Sequence, residues 1–488
     1  MELKLECKKS YYAALANMLR AVIPGLEIIN NSKKEAKYLL QADILSATER
    51  NMAVAKLYKS GRIILRHERS FVVEDKNKRA NAEKKELKLL IMELFNQYFR
   101  YNINPWGILT GVRPTKLANQ LLDQGLTYKE LEKKLNSDYG VTKNKRELLL
   151  DVVKREKKLL PNKKNKAKKL GVYIGIPFCP SKCSYCSFAS YPIKKFSSYL
   201  KDFLAALHLE IKELGRVIKA LDLEVNTIYL GGGTPTVLNK KQLNSLLSEL
   251  KQHFTLEQEF TVEAGRVDTI TEAKLKLLKR FNVNRICINP QTMNQATLEQ
   301  LNRRHSSAQV KKTVKLAHKI GFETINMDLI VGLPDEGITE IENTVNDVVK
   351  LAPENITLHA LAYKRAANLE DKKELAKIKE LRKTFSAVRK RLANSGLKPY
   401  YMYRQKQTVG NLENIGYAKK GHESIYNIAM IEENQSIIAF GGGGITKLVA
   451  PETQKFNRII NPRNPAQYID GVKEKIAEKK LELTSLFG

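Results

Sequence analysis

Three of the chain's five cysteines crowd into one short stretch, VYIGIPFCPSKCSYCSF (172–188), where Cys179, Cys183 and Cys186 are spaced C-x3-C-x2-C; the other two, Cys7 and Cys287, stand far apart. Thiolates this close together suit a soft metal. Structural zinc usually takes four protein ligands, commonly from paired C-x2-C units. No second pair exists here, and the nearest histidine in sequence, His208, falls in a stretch patterned as helix. A disulfide with a spare thiol does not suit a reducing compartment. A four-iron cluster normally takes four cysteines, so three would leave one iron open to a substrate or cofactor. Spacing alone favours such a site-differentiated iron–sulfur cluster, with zinc as the alternative.

Other residues with chemical reach stand where apolar runs end: GGGTP (231–235), Glu263 in TVEAG, and Asn289-Pro290-Gln291. From Gly171 onward the chain repeats a strand and helix pattern. The strand candidates are rich in Val, Ile and Tyr: VYIGIPF, NTIYLGGG, EFTVEAG, NRICIN, TINMDLIVG and NITLHAL. Amphipathic stretches such as SSYLKDFLAALHLEIKELGRVI and KQLNSLLSELKQHF lie between them. Alternation of this kind predicts a parallel sheet joined by right-handed crossovers, and six such units an α/β fold of incomplete or complete β/α barrel type. Ligands of such barrels sit at the C-terminal strand ends, where the unusual residues gather. They are expected to share one site.

Around this barrel, placed at residues 166–395, the pattern predicts a basic α+β domain over 1–165 and a C-terminal element over 396–488 laid across the barrel mouth. The N-terminal part mixes helical SYYAALANMLRAVI with strand-like MAVAKLYKSGRIILRHE. It also holds the chain's one tryptophan, Trp106, in a loop expected to lead into a helix. LPNKKNKAKKLG has the composition of an exposed linker. The net charge of +32 invites an anionic partner. Much of it, however, lies at helical spacing, as in residues 143–170 with twelve basic against three acidic residues, and reads as solvated helix face plus linker. No apolar run reaches the roughly 18 residues of a membrane span, and MELKLECKKS lacks the apolar centre of a signal peptide. A cytoplasmic protein with reduced thiols is expected. Cys287 is read as a small apolar residue inside a strand.

With these motifs in order, the chain resembles the radical S-adenosylmethionine (SAM) enzymes, whose signature is C-x3-C-x2-C with an aromatic, here Tyr185, before the last cysteine. YIGIPFCPSKCSYCSF, IYLGGGTPTVL, the glutamate of TVEAG, NPQTMNQATLEQLNRRHS and INMDLIVGLP follow the order and approximate spacing of the oxygen-independent coproporphyrinogen III oxidase (dehydrogenase) family. The tail YYMYRQKQTVGNLENIGYA and the N-terminal extension look like its longer branch.

The resemblance implies a partial (β/α)6 barrel and a [4Fe-4S] cluster on Cys179, Cys183 and Cys186, whose open iron chelates the amino and carboxylate groups of SAM. It implies SAM contacts from Tyr173 and Tyr185, with Tyr173 also in the catalytic set, and from Gly232, Gly233 and Thr234 of GGGTP. Glycines there let backbone carbonyls approach without a Cβ in the way. Glu263 and Asp328, carboxylates each expected to end an apolar strand, would recognise ribose or methionine, with Gln291, and with Arg303 on the methionine carboxylate. One electron from a flavodoxin- or ferredoxin-like donor would cleave SAM to methionine and a 5′-deoxyadenosyl radical. That radical would take a propionate hydrogen of coproporphyrinogen III, and two decarboxylations would give protoporphyrinogen IX. Lys364, Arg365 and Arg404 are candidate propionate contacts.

Two positions depart from the family. Decarboxylating members carry a fourth cysteine where this chain has Phe188, and a histidine where it has Gly175. Haem chaperones share the barrel and also lack that cysteine, but usually carry a His-Asn-x-x-Tyr-Trp run where this chain has HESIYNIAMI. A haem- or porphyrin-binding protein is therefore the second reading. An RNA-modifying radical enzyme is a third, and the absence of an RNA-type signature leaves nucleic acid an unlikely partner.

Overall fold

The computed structural model describes the chain except for residues 24, 30–35, 47–49, 74, 112, 160–167, 363–371, 406–407 and 451–455. The expected 165/166 boundary and two candidate propionate contacts, Lys364 and Arg365, lie outside the described residues. The chain divides into two compact units: residues 1–154 with 360–386 and 402–414, and residues 155–359 with 387–401 and 415–488.

The first unit is α+β. Strands β1 (Glu2–Glu6), β2 (Glu27–Ile28), β3 (Tyr38–Ser46), β4 (Asn51–Lys59) and β5 (Arg62–Phe71) form a sheet in the order β2-β1-β3-β4-β5. YLLQADILS of β3 alternates buried and exposed as a half-buried strand should. The β4–β5 hairpin turns on Ser60 and Gly61, both at positive φ, the two-residue connection that matches strand twist. Helices Lys9–Val22 and Arg79–Phe99 supply Leu15, Leu19, Leu90 and Phe95 to its core. Trp106 is fully buried, its Nε1 donating to Glu413 3.1 Å away, and the loop leads into helix Pro114–Asp123 with proline at its first turn. Arg404 is buried too: it donates to the Leu109 carbonyl at 2.5 Å and lies 5.7 Å from the Trp106 ring centroid. Its guanidinium is thus engaged in internal packing, and Arg404 is not retained as a propionate contact.

The second unit holds the barrel. Its strands are β6 (Lys169–Ile176), β7 (Phe178–Cys179), β8 (Tyr191–Pro192), β9 (Glu224–Gly232), β10 (Leu256–Gly265), β11 (Arg285–Ile288), β12 (Thr324–Val331) and β13 (Asn355–Ala360). After these come β14 (Lys398–Arg404), β15 (Glu413–Ala418), β16 (Ser436–Gly441), β17 (Ile445–Val449) and β18 (Phe456–Ile460). The six expected strands are β6, β9, β10, β11, β12 and β13, adjacent in that order within the sheet β14-β15-β13-β12-β11-β10-β9-β6-β16-β17-β18. β6 through β12 pair in parallel. The two ends of the order do not pair, so the barrel is partial. From the C-terminal part of the chain, β16 pairs in parallel with β6 and gives it a second neighbour.

Helices Ile193–Ala220, Lys240–His253, Glu272–Arg280 and Ser307–Ile320 make the crossovers. Their starts are locally encoded: Asn239 and Ser306 form capping boxes, and Thr271 caps the third of them. Their leucine and valine stripes, among them Leu207, Leu246, Leu278 and Val314, are buried.

Candidate active site at the C-terminal strand ends

Register fixes which side chains share a face. Tyr173, Tyr229, Thr261, Arg285 and Thr324 are paired neighbours across five strands. Two residues further on, Gly175 pairs with Gly231, and Glu263 pairs with Cys287, which pairs with Asn326. Because side chains alternate along a strand, Glu263, Cys287 and Asp328 point to one side. Cys287 is buried within β11, as expected for a small apolar residue, with two carboxylates beside it.

The cysteine loop follows β6 directly. Cys179 and Cys183 are buried and Cys186 is half-buried, all as free thiols. Burial pushes the Cys179 thiol up to about 11, so a thiolate there needs a cation beside it. Each sulfur also faces a donor from outside the loop or from its end. Thr234 Oγ1 stands 3.4 Å from Cys179, Arg303 Nη1 and Arg266 Nη1 stand 3.8 Å and 4.0 Å from Cys183, and Ser190 Oγ stands 3.9 Å from Cys186. That is the surrounding of thiolates held by an iron–sulfur cluster, whose sulfurs accept hydrogen bonds. A single zinc ion needs its donors to converge on one point. Among the described residues no group of three or more His, Cys, Asp or Glu side chains does so. His208 lies within helix Ile193–Ala220, bonded to Glu249 at 3.3 Å.

GGGTP wraps this loop. The Gly233 and Thr234 amides donate to the carbonyls of Ile176 and Phe178 at 2.7 and 2.8 Å. A Cβ on Gly233 would sit 2.6 Å from the Phe178 oxygen and 3.0 Å from Cys179 Sγ, so only glycine fits. Gly232 is at φ +101°.

Beyond the glycines, Tyr229 Oη donates to Glu263 Oε1 at 2.5 Å, and the Tyr173, Tyr229 and Tyr426 rings stack with centroids 4.4 to 6.3 Å apart. Burial pushes the Glu263 carboxyl up to about 7, the Tyr229 bond opposing and the Asp328 charge adding to it. Burial would raise Asp328 as well, but His359, 3.8 Å away, together with Asn326 and Thr357, holds it below the usual carboxylate range. Two carboxylates on one face therefore differ in charge near neutral pH. Asp328 is in mid-strand rather than at a strand end. Gln291 is at φ +71°, its amide donating to the Asp328 carbonyl at 2.9 Å and its buried Oε1 without a partner. Arg303 Nη1 reaches Tyr185 Oη at 3.1 Å and Nη2 the Asn289 carbonyl, while its buried Nε has no partner. Orphaned buried groups at one site are what a bound ligand would satisfy.

Residues 173–348 match the model of the radical SAM superfamily. The chain is 34% identical to the oxygen-independent coproporphyrinogen-III oxidase-like protein HemZ of Bacillus subtilis, over 97% of this chain and 95% of that protein. The chain belongs to this oxidase-like family of the radical SAM superfamily. It is also 30% identical to the heme chaperone HemW of the same organism, over 62% of this chain and 76% of that one. The solved coproporphyrinogen III oxidase HemN of Escherichia coli, itself described as a radical SAM enzyme, superposes with a TM-score of 0.51 at 20% identity, covering 66% of this chain and 72% of that one, and supports the fold. Radical SAM proteins use a [4Fe-4S] cluster and SAM, and those are the cofactors of this chain. No helix among the described residues is long and apolar enough to cross a membrane.

Of the expected site residues, the cysteines and Tyr185 lie on the loop after β6, Gly232, Gly233, Thr234, Glu263, Gln291 and Arg303 lie at strand ends or in the segments that follow them, and Tyr173 and Asp328 lie within their strands. Sequence reasoning passed over Tyr229, Arg266 and His359. Tyr229 and His359 could have been found from strand alternation, being two residues from Gly231 and Thr357. Arg266, which also bonds Ser181 and pairs with Asp268 at 2.7 Å, carried no signal beyond following Gly265.

The Glu263 shift has a measurable sign. A carboxyl raised from its unfolded value to about 7 costs no stability below pH 4.5, and its ionisation penalty grows from there to pH 7. Thermal stability of the protein without cofactors is expected to fall across that window, and Glu263→Gln to flatten the fall. An identical pH profile in the variant would contradict this assignment.

Proposed function

We propose that the protein is a radical SAM oxidoreductase that decarboxylates two propionates of coproporphyrinogen III to give protoporphyrinogen IX, in anaerobic porphyrin and haem synthesis in the cytoplasm. The observation that carries this reading is a loop of three buried or half-buried thiols after β6, with a glycine turn packed against it and two unlike carboxylates on one face of the same sheet. Similarity over almost the whole chain to a coproporphyrinogen-III oxidase-like protein supports it.

In this reading Cys179, Cys183 and Cys186 hold the cluster, and with SAM bound the pair supplies one-electron chemistry able to remove a hydrogen atom from an unactivated C–H bond. The protein's own residues position and insulate. The GGGTP turn offers backbone carbonyls to the methionine ammonium, with Thr234 fixing the Cys179 sulfur. Asp328, kept anionic, accepts from ammonium or ribose hydroxyl, while Glu263 donates or accepts according to its proton. Arg303 Nε is a free donor for the methionine carboxylate, and Gln291 Oε1 a free acceptor for a hydroxyl or ammonium group of SAM. Tyr185 orients Arg303, and the Tyr173–Tyr229–Tyr426 stack closes the barrel floor against water. A flavodoxin- or ferredoxin-type protein supplies the electron.

A second reading, a haem- or porphyrin-binding protein without this turnover, is favoured by two observations: the likeness to heme chaperones and the residues Phe188 and Gly175. Anaerobically reconstituted protein with SAM, dithionite and coproporphyrinogen III separates the two by mass spectrometry. Protoporphyrinogen IX is expected. Stoichiometric haem binding with no product would overturn the first reading in favour of the second.

A further inference from the structure

Phe188 is the most exposed aromatic side chain in the second unit, 70% accessible, two residues past the thiol that is itself least buried, Cys186. A large apolar ring in water is unfavourable against burial, and nothing among the described residues of the unit covers it. The sequence around it is of one sign. From Cys179 to Lys201 there are four lysines and no acidic residue. Lys182, Lys194 and Lys195 are exposed. Exposed Arg304 adjoins Asn302, whose carbonyl accepts from the Ser181 hydroxyl and whose side-chain amide donates to the Lys182 carbonyl. Exposed Arg463 packs beside Gly443, which in turn adjoins Ala189. An exposed aromatic anchor within a rim of positive charge is how a transient interface reads, the ring giving affinity and the charges giving encounter rate.

We propose that this patch is the docking surface of the protein that reduces the cluster, an acidic one-electron carrier that seats on Phe188 and is steered by Lys182, Lys194, Lys195, Arg304 and Arg463. Position selects this occupant. Phe188 stands on the cysteine loop itself, two residues from its least buried thiol, so an electron entering here has a short covalent path to the cluster ligands. One electron leaves the carrier's reduced flavin or iron–sulfur group and one enters the cluster, with no bond made or broken. The proposal rests on the radical SAM reading and is independent of which tetrapyrrole is the substrate.

The test compares wild type, Phe188→Ser and the double variant Lys194→Glu/Lys195→Glu. Each is titrated with an acidic flavodoxin at low and high salt, and SAM cleavage is driven either by reduced flavodoxin or by dithionite. Both variants are expected to lose about tenfold or more in flavodoxin affinity, the double variant with a shallower salt dependence. Cleavage driven by dithionite is expected to be unchanged. Unaltered flavodoxin affinity would overturn the proposal. So would dithionite-driven cleavage falling in step with flavodoxin-driven cleavage, and so would loss of porphyrin binding with flavodoxin affinity intact, which would make the patch a platform for the anionic macrocycle. Because affinity is read separately from turnover, a wild type that cleaves no SAM would sink the functional reading and leave the docking question decided by the titration.

Discussion

Cys183→Ala is expected to leave the protein without its cluster: iron after anaerobic reconstitution should fall from about four per chain to near zero, and the broad visible absorbance should vanish. The same change should also destabilise the fold. Cys183 Sγ is the shared acceptor of Arg303 and Arg266, both nearly inaccessible to water. Arg266 keeps its bonds to Ser181, but removing the acceptor leaves one Arg303 N–H unpaired, at a cost of about 1–3 kcal/mol. Cys183→Ser separates the two effects, since a hydroxyl still accepts from the arginines but holds iron poorly. It should recover much of the lost thermal stability and none of the iron. Full iron content in the alanine variant would remove Cys183 from the ligand set.

Gly175→His restores the residue that decarboxylating relatives carry, and it is expected to destabilise this protein without changing its product. At position 175 a Cβ would meet the Gly442 carbonyl oxygen at 2.7 Å and the Tyr173 ring at 3.3 Å. β16 passes too close to β6 for a side chain there. Gly441, at φ +79°, would bring its own Cβ to 2.2 Å from the Gly175 oxygen. The 441–444 turn cannot easily yield. Glu210 Oε2 accepts from the Gly441 amide at 2.8 Å and from Tyr468, and Glu210 Oε1 accepts from Lys479 and Asn461, all of them buried. Overpacking of about 1–3 kcal/mol corresponds to a fall in melting temperature on the order of 5 °C. Calorimetry and the product assay check both halves. A variant of unchanged stability would show that the turn moves aside freely.

That turn also explains what the sequence makes legible. The six barrel strands can be read directly, because each is a short apolar run and all but NITLHAL are ended by glycine or proline, and strand alternation is a local property. The cysteine spacing is likewise local. β16 is not: Ile437 pairs with Gly171 and Ala439 with Tyr173, and nothing in IIAFGGGG says that its partner lies more than 260 residues earlier. Glu210 and Lys479 read as ordinary charges on amphipathic helices, LHLEIKELG and IAEKKLELT, yet both are fully buried and 2.7 Å apart. Arg266 reads as a surface cation until the fold turns it, with Arg303, onto one sulfur. The site's chemistry is written in its motifs, while the parts that hold it rigid depend on pairings between distant segments.

The pairing of β16 with β6 bears on how the molecule reaches its native state. LGVYIGI carries no charge and no proline, the residues by which a sheet edge is usually kept from sticking to other chains. A chain folded only through β13 would present it as a bare edge beside the cysteine loop. Closure waits on a contact of very long sequence separation, which is slow to form. A chain caught between those two moments is expected to be prone to aggregate, and its yield in a cell is expected to depend on how quickly one late strand arrives.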